Sequence, residues 1–414
     1  MTENPGASRL AFAVGLISVG GVSDLNAQFA RRIGAMRPST IREILKVTAQ
    51  PDIISFAGGL PAPELFPIED IRAAADAVLV RDGSSALQYG PSEGYVPLRE
   101  WIAAEMGARG IATKADDVLI TNGSQQVLDL VGKVFLDAGD VVLTENPTYL
   151  AAIQAFQTFE PKFVPVPTDE HGLIPDAVPA LIKQHRPKFL YTIPTFQNPT
   201  GITLLRERRA ALARIAAEHN LLIVEDDPYG KLRYSGAEVP PIKHWDESGH
   251  VLYVSTFSKT IAPGLRLGWV VARHDIFNRL LILKQASDLH TSSFDQRVAQ
   301  AYLASGQQAG HIEKIRRAYG ERFGILDAAL REALPSTYTW TKPEGGMFLW
   351  VTGPADLDAL KLLERAIAQK VAFVPGRDFF PADGGKNHFR LNFSNSTPER
   401  LREGVRRLAA LVRS

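Results

Sequence analysis

A lysine that follows an apolar, strand-forming run, Lys259 in STFSKTIAPGLRLGW (255–269), stands downstream of an amide, Asn198 in QNPTG, and of a carboxylate and a phenol, Asp226 and Tyr229 in VEDDPYG. An amine condenses with an aldehyde, a carboxylate holds a heterocyclic nitrogen protonated, and an amide with a phenol serves a ring oxygen. Lys259 can act as the amine only if its ammonium is deprotonated part of the time, which burial and neighbouring positive charge promote. Displaced by an incoming amine, the same lysine becomes a base that moves a proton off the adjacent carbon. A phosphate needs backbone amides and a cation. TNGSQQVLDLVGK provides Gly123, Ser124 and Gln125 at a helix start, Thr256 and Ser258 add hydroxyls, and Arg266 offers a fixed fork of donors. Gly58 and Gly59 in AGGLP let backbone approach a bound molecule closely. The acidic run has a rival reading, a divalent-metal site of Glu225, Asp226 and Asp227. It has no histidine or phosphate loop nearby, and on an extended segment Asp227 points away from Asp226, so no metal is expected.

These side chains must be positioned by the elements around them. From 118 to 272, seven short apolar runs alternate with helical patterns: VLIT, VVLTE, KFVPVP, FLYTIP, LLIVED, VLYVSTFS and LGWVVA. Such βα alternation predicts an α/β fold with a mainly parallel, doubly wound sheet, and near-continuous runs such as LLIV read as strands covered on both faces. Ligands bind such sheets at the carboxyl ends of strands. Asn198, Asp226 and Lys259 each follow a predicted strand, so the topology brings them toward one rim. Beyond about residue 290 the pattern changes to long amphipathic helices such as HIEKIRRAYGERFGILDAALREAL (311–334). Strand-like GGMFLWV (345–351), VAFVP (371–375) and FRLNFS (389–394) follow, then a last helix with Pro398 in its first turn. This second part reads as a smaller α+β unit.

The order and spacing of these residues resemble the fold-type I pyridoxal 5′-phosphate (PLP) enzymes, specifically class I aminotransferases of the 2-aminoadipate/kynurenine group. The resemblance is carried by AGGLPAPELFP (57–67), LQYGPSEGYVPLRE (87–100), TNGSQQVLDLVGKVFL (121–136), FQNPTG (196–201) and VEDDPYG (224–230), and spans residues 37–412. It implies a large PLP-binding domain over 61–290 built on a mostly parallel seven-stranded sheet, and a small α+β domain over 291–414. An arm over 37–60 completes the small domain, behind an N-terminal extension over 1–36. It implies that Tyr149 in ENPTYL stacks on the cofactor ring and that Tyr89 in LQYG reaches the phosphate of a neighbouring subunit, hence a homodimer with shared active sites. Arg390 in FRLNFS matches the arginine that clamps a substrate carboxylate in two parallel hydrogen bonds. Arg42 in STIREIL matches an arginine on a mobile helix that receives the distal carboxylate of 2-aminoadipate or glutamate. The activity implied is a ping-pong transfer of the amino group of an L-amino acid (2-aminoadipate-like, aromatic or branched aliphatic) to 2-oxoglutarate. Two other classes use the same scaffold. A β-lyase, decarboxylase or synthase would retain the PLP residues, and a PLP-binding regulator would carry a basic winged-helix module ahead of the matched region, where about 36 residues stand, fewer than such a module needs.

Composition sets outer limits. A chain of 414 residues that is 45% hydrophobic can bury a large core and suggests two or three domain-sized units. With 46 Lys and Arg against 45 Asp and Glu there is no electrostatic case for nucleic acid or an anionic membrane, and small-molecule amino and 2-oxo acids fit better. The absence of cysteine excludes a disulfide framework, a thiolate nucleophile and a thiolate metal site, and the expectation is a cytoplasmic enzyme. The apolar stretch LAFAVGLISVGGV (10–22) is too short to span a bilayer and lacks the basic start and cleavage site of an export signal. It reads as an extension or a flap near the active site.

Overall fold

The computed structural model describes residues 52–413 together with residues 25, 28–36, 44 and 50. The chain divides into two compact units after Met36. In the first, Arg31–Ala35 forms a short 3-10 helix.

All seven apolar runs form strands of one sheet: β1 Val118–Thr121, β2 Val141–Thr144, β3 Lys162–Pro165, β4 Phe189–Thr192, β5 Leu222–Asp226, β6 Val251–Thr256 and β7 Gly268–Val271. Their order is β1-β7-β6-β5-β4-β2-β3. β7 runs antiparallel to both neighbours, and every other pairing is parallel. Every residue of β1, β4, β5, β6 and β7 is buried, which is why these runs lack the polar alternation of a strand with one wet face. Successive residues nonetheless enter different cores, as the pleat requires. Leu119, Val142, Phe189 and Val224 join one cluster, whereas Val118 and Ile120 join a second and Leu143, Leu190 and Ile223 a third. Each fully buried Val, Leu or Ile contributes roughly 1.5–3 kcal/mol of transfer free energy, so both faces of the sheet are anchored.

A second, four-stranded antiparallel sheet orders Thr339–Trp340, Phe348–Thr352, His388–Asn392 and Val374–Pro375. Here VAFVP departs from the single strand expected. Val371–Ala372 pairs in parallel with Ile54–Ser55, whereas Val374–Pro375 pairs with the strand of Arg390. Phe373 lies between them, buried with its ring 4.7 Å from that of Phe389; an unbroken apolar run carries no mark of where its pairing partner changes. The hairpin Thr168–Asp169/Gly172–Leu173 was not expected either, its strands being two residues each. The long helix spans Gln308–Ala333 and the last one Pro398–Arg413, with proline first, where a missing N–H costs nothing. Among the described residues no helix is long and apolar enough to cross a membrane.

Candidate active site

The carboxyl ends of β1, β4, β5 and β6 lie on one edge of the large sheet, and each delivers a side chain there. Asp226 is the last residue of β5. Lys259 ends a 3-10 turn, Phe257–Lys259, that follows β6 directly. β4 leads into the loop of Asn198, and β1 leads through Asn122 and Gly123 into the helix Ser124–Phe135. Two glycines make the last junction possible. Gly123 takes a left-handed φ of 74°, and a Cβ on Gly268 would lie 2.6 Å from Ser124 N, so only glycine lets the helix start settle against β7.

Around this edge lies a cleft of about 440 Å³. Its walls include Lys259, Asp226, Tyr229, Asn198, Tyr149 and Arg390, together with Ser124, Gln125, Thr256, Ser258 and Arg266. Half-buried Lys259 donates from Nζ to the carbonyl of Gly59 at 2.9 Å. Burial, together with the positive charges of Arg390 and Arg266, holds its ammonium down to about 8.

Asp226 is 1% exposed. Burial raises its carboxyl to about 7, against the opposing hydrogen bond that Tyr191 donates to Oδ2 at 2.8 Å. Its Oδ1 is buried with no hydrogen-bond partner among the described residues. The other two acids of the run face elsewhere. Glu225 accepts the backbone N–H groups of Ile242 and Lys243 at 2.7 and 2.8 Å. Asp227 is buried too, yet Arg109 at 2.7 Å and the Tyr253 hydroxyl at 2.8 Å hold its carboxyl below the ordinary value. The three carboxylates diverge and do not converge on one ion. Burial pushes the phenol of Tyr229 up, and that of Tyr149 up to about 12.

Arg390 sits on the strand His388–Asn392 and is 2% exposed. Nη1 donates to Asn198 Oδ1 and Nη2 to the carbonyl of Ala57, both at 2.7 Å, while its guanidinium lies 4.1 Å from the ring centre of Phe348 and 5.1 Å from that of Phe379. Burial lowers it only to about 10, so it stays charged at neutral pH. Four stretches of chain, at Ala57, Asn198, Phe348 and Phe379, thus hold one planar fork in place.

Not every expected residue meets here. Gly59 lines the cleft and Gly58 does not; neither takes a positive φ. Tyr89 lies outside the cleft, 78% exposed, with its ring edge-on to His290 at 5.6 Å. Arg42 lies outside the described residues. Sequence reasoning missed Tyr191 and Phe348. The signal for Tyr191 was a phenol inside the aliphatic strand FLYTIP, since a buried hydroxyl needs a partner; for Phe348 there was none beyond apolarity.

The sequence model of the family described as aminotransferase class I and II matches residues 51–408. The chain belongs to this family. The aminotransferase is 45% identical over 396 residues to aromatic-amino-acid aminotransferase 1 of Thermococcus litoralis, covering 94% of this chain and 95% of the relative. It superposes with a TM-score of 0.91 on the kynurenine aminotransferase of Pyrococcus horikoshii, solved in complex with PMP, at 44% identity over 94% of this chain and 98% of that one. With the α-aminoadipate aminotransferase of Thermus thermophilus, complexed with N-(5′-phosphopyridoxyl)-L-leucine, the TM-score is 0.88 at 42% identity, again over 94% and 98%. Fold-type I aminotransferases work with PLP. The cleft fits that group, because the partnerless Oδ1 of Asp226 and the helix start at Ser124 beside Arg266 form the acceptor and donor set it requires.

Lys259 gives the aminotransferase a pH signature. With its pKa lowered to about 8, roughly a tenth of the amine is neutral at pH 7, against fewer than about one in a thousand for an ordinary lysine. Because the shift is downward, the neutral amine grows with pH and saturates once pH passes the lowered value. Apoprotein mixed with PLP should therefore gain visible absorbance about tenfold faster at pH 9 than at pH 7, then level off. A rate still climbing steeply at pH 10 would show an unshifted lysine.

Proposed function

We propose that this aminotransferase moves the amino group of an L-amino acid, with an aromatic, branched aliphatic or 2-aminoadipate-like side chain, to 2-oxoglutarate in two ping-pong half-reactions. The observation that carries the reading is one cleft holding a lysine amine lowered to about 8, a buried carboxyl with one partnerless oxygen, and a buried guanidinium fork. Bound PLP supplies the electron sink that lets a substrate Cα give up its proton. Lys259 Nζ would hold the cofactor and would carry the proton to and from the substrate Cα. Asp226 Oδ1 would keep the ring nitrogen protonated, Tyr229 and Asn198 would serve the ring oxygen, and Tyr149 would stack on the ring. The amides at Ser124 and Gln125, the hydroxyls of Thr256 and Ser258, and Arg266 hold the phosphate. Arg390 takes the substrate carboxylate beside Gly59, and Arg42 takes a distal one. A homodimer accounts for Tyr89, whose exposed ring would reach a partner's phosphate.

The substrate range is supported by relatives named for aromatic amino acids, kynurenine and 2-aminoadipate. A donor screen against 2-oxoglutarate with 2-aminoadipate, kynurenine, phenylalanine, leucine, valine and alanine tests it. Expected are kcat/KM values at least about tenfold higher for the first three than for alanine, corresponding to about 1.4 kcal/mol of extra transition-state binding, and parallel double-reciprocal plots. Pyruvate and ammonia released, without any 2-oxo acid, from an amino acid that carries a leaving group on its β-carbon, such as cysteine or serine, would instead indicate a β-lyase.

A further inference from the structure

Beside the turn at Asn122 the fold buries a second lysine that the chemistry above does not use. Lys284, on the helix His274–Asp288, has a side chain 0% exposed, although lysine is almost never fully buried unless paired. An ammonium has three protons to place. Here they meet Gln126 Oε1 at 3.1 Å, Thr291 Oγ1 at 3.0 Å and the carboxylate of Asp288 at 3.0 Å to either oxygen. Asp288 also accepts from Gln126 Nε2 at 2.7 Å and from Asn122 Nδ2 at 2.5 Å. The same Gln126 oxygen accepts the backbone N–H of Asn122 at 2.8 Å, and the Asn122 carbonyl accepts from Arg266 Nη2 at 3.4 Å.

A buried ion pair is a poor way to gain stability, since desolvation offsets most of its attraction. What this one does is tie the helix His274–Asp288 to both residues that flank Gly123–Gln125. We infer that Lys284 is a positioning residue for the phosphate anchors: it locks the turn 121–126 so that the first amides of the helix Ser124–Phe135 and the Arg266 guanidinium converge on one dianion. The inference rests on the reading of Gly123–Gln125 with Arg266 as the phosphate site. It requires no contact between Lys284 and the cofactor, and Lys284 does not line the cleft.

Full-length apoprotein carrying Lys284→Met, and separately Gln126→Leu, is titrated with PLP and with pyridoxal, which lacks the phosphate, by visible absorbance. Each variant should lose about ten- to a hundredfold in affinity for PLP and stay within about twofold of the unaltered protein for pyridoxal. Equal losses for both compounds, as general unfolding would produce, overturn the inference, and so does unchanged PLP affinity. Should Lys284→Met not fold, Gln126→Leu decides, because it cuts the link to the turn while leaving Lys284 its Asp288 and Thr291 acceptors. If the unaltered protein binds both compounds alike, the phosphate site itself is misplaced, a failure read before any variant is made.

Discussion

Lys259→Ala should abolish transamination, lowering kcat by more than about 10⁴-fold, because it removes the attacking amine and the proton carrier together. The purified variant should also lack the visible absorbance of lysine-bound cofactor. Among the described residues lining the cleft there is no other amine. Its other cationic walls, Arg390 and Arg266, carry delocalised guanidiniums, which cannot take the place of a primary amine. Lys259→Arg should therefore fail as completely as alanine. A small exogenous amine should restore part of the rate to the alanine variant, since the vacated space lies in the open cleft, and stopped-flow single turnovers would read this directly. Steady-state turnover within tenfold of the unaltered enzyme would remove Lys259 from the mechanism.

Arg390→Lys should raise KM for every amino acid and 2-oxo acid by about a hundredfold, near 2.7 kcal/mol, while the cofactor's visible spectrum persists. Lysine keeps the charge and loses the fork. It also cannot reach both existing acceptors with one planar group, so Asn198 Oδ1 and the Ala57 carbonyl, each bonded at 2.7 Å now, would compete with substrate for the remaining protons. A buried acceptor left unmet costs about 1–3 kcal/mol, so part of the effect should appear as misplacement of Asn198. Measuring KM and kcat separately for neutral and acidic donors checks the assignment. An effect confined to acidic donors would mean that Arg390 reads the side chain, not the shared carboxylate.

Much of the fold was legible because its sheet is covered on both faces. LLIV and VLYV are unbroken apolar runs for the same reason that β5 and β6 are buried throughout. The reversed direction of β7 was not legible, since nothing in GWVV marks which way its chain must run. Nor was the change of partner inside VAFVP, where Phe373 is apolar like its neighbours and pairing depends on residues as distant as Ile54 and Arg390.

Within the site, the sequence by itself determined which chemical groups stand at strand ends: an amine at 259, a carboxylate at 226, an amide at 198 and a glycine-led helix start at 123. Covalent connectivity brings each to the rim once the strands form. Only the tertiary structure decided what those groups are able to do. Lys259 is lowered by burial beside Arg390 and Arg266, Asp226 commits one oxygen to Tyr191 and keeps the other, and Arg390 is held by Ala57 and Asn198. Desolvation and hydrogen-bond satisfaction belong to the packed neighbourhood, and these neighbours are supplied by segments remote in the chain.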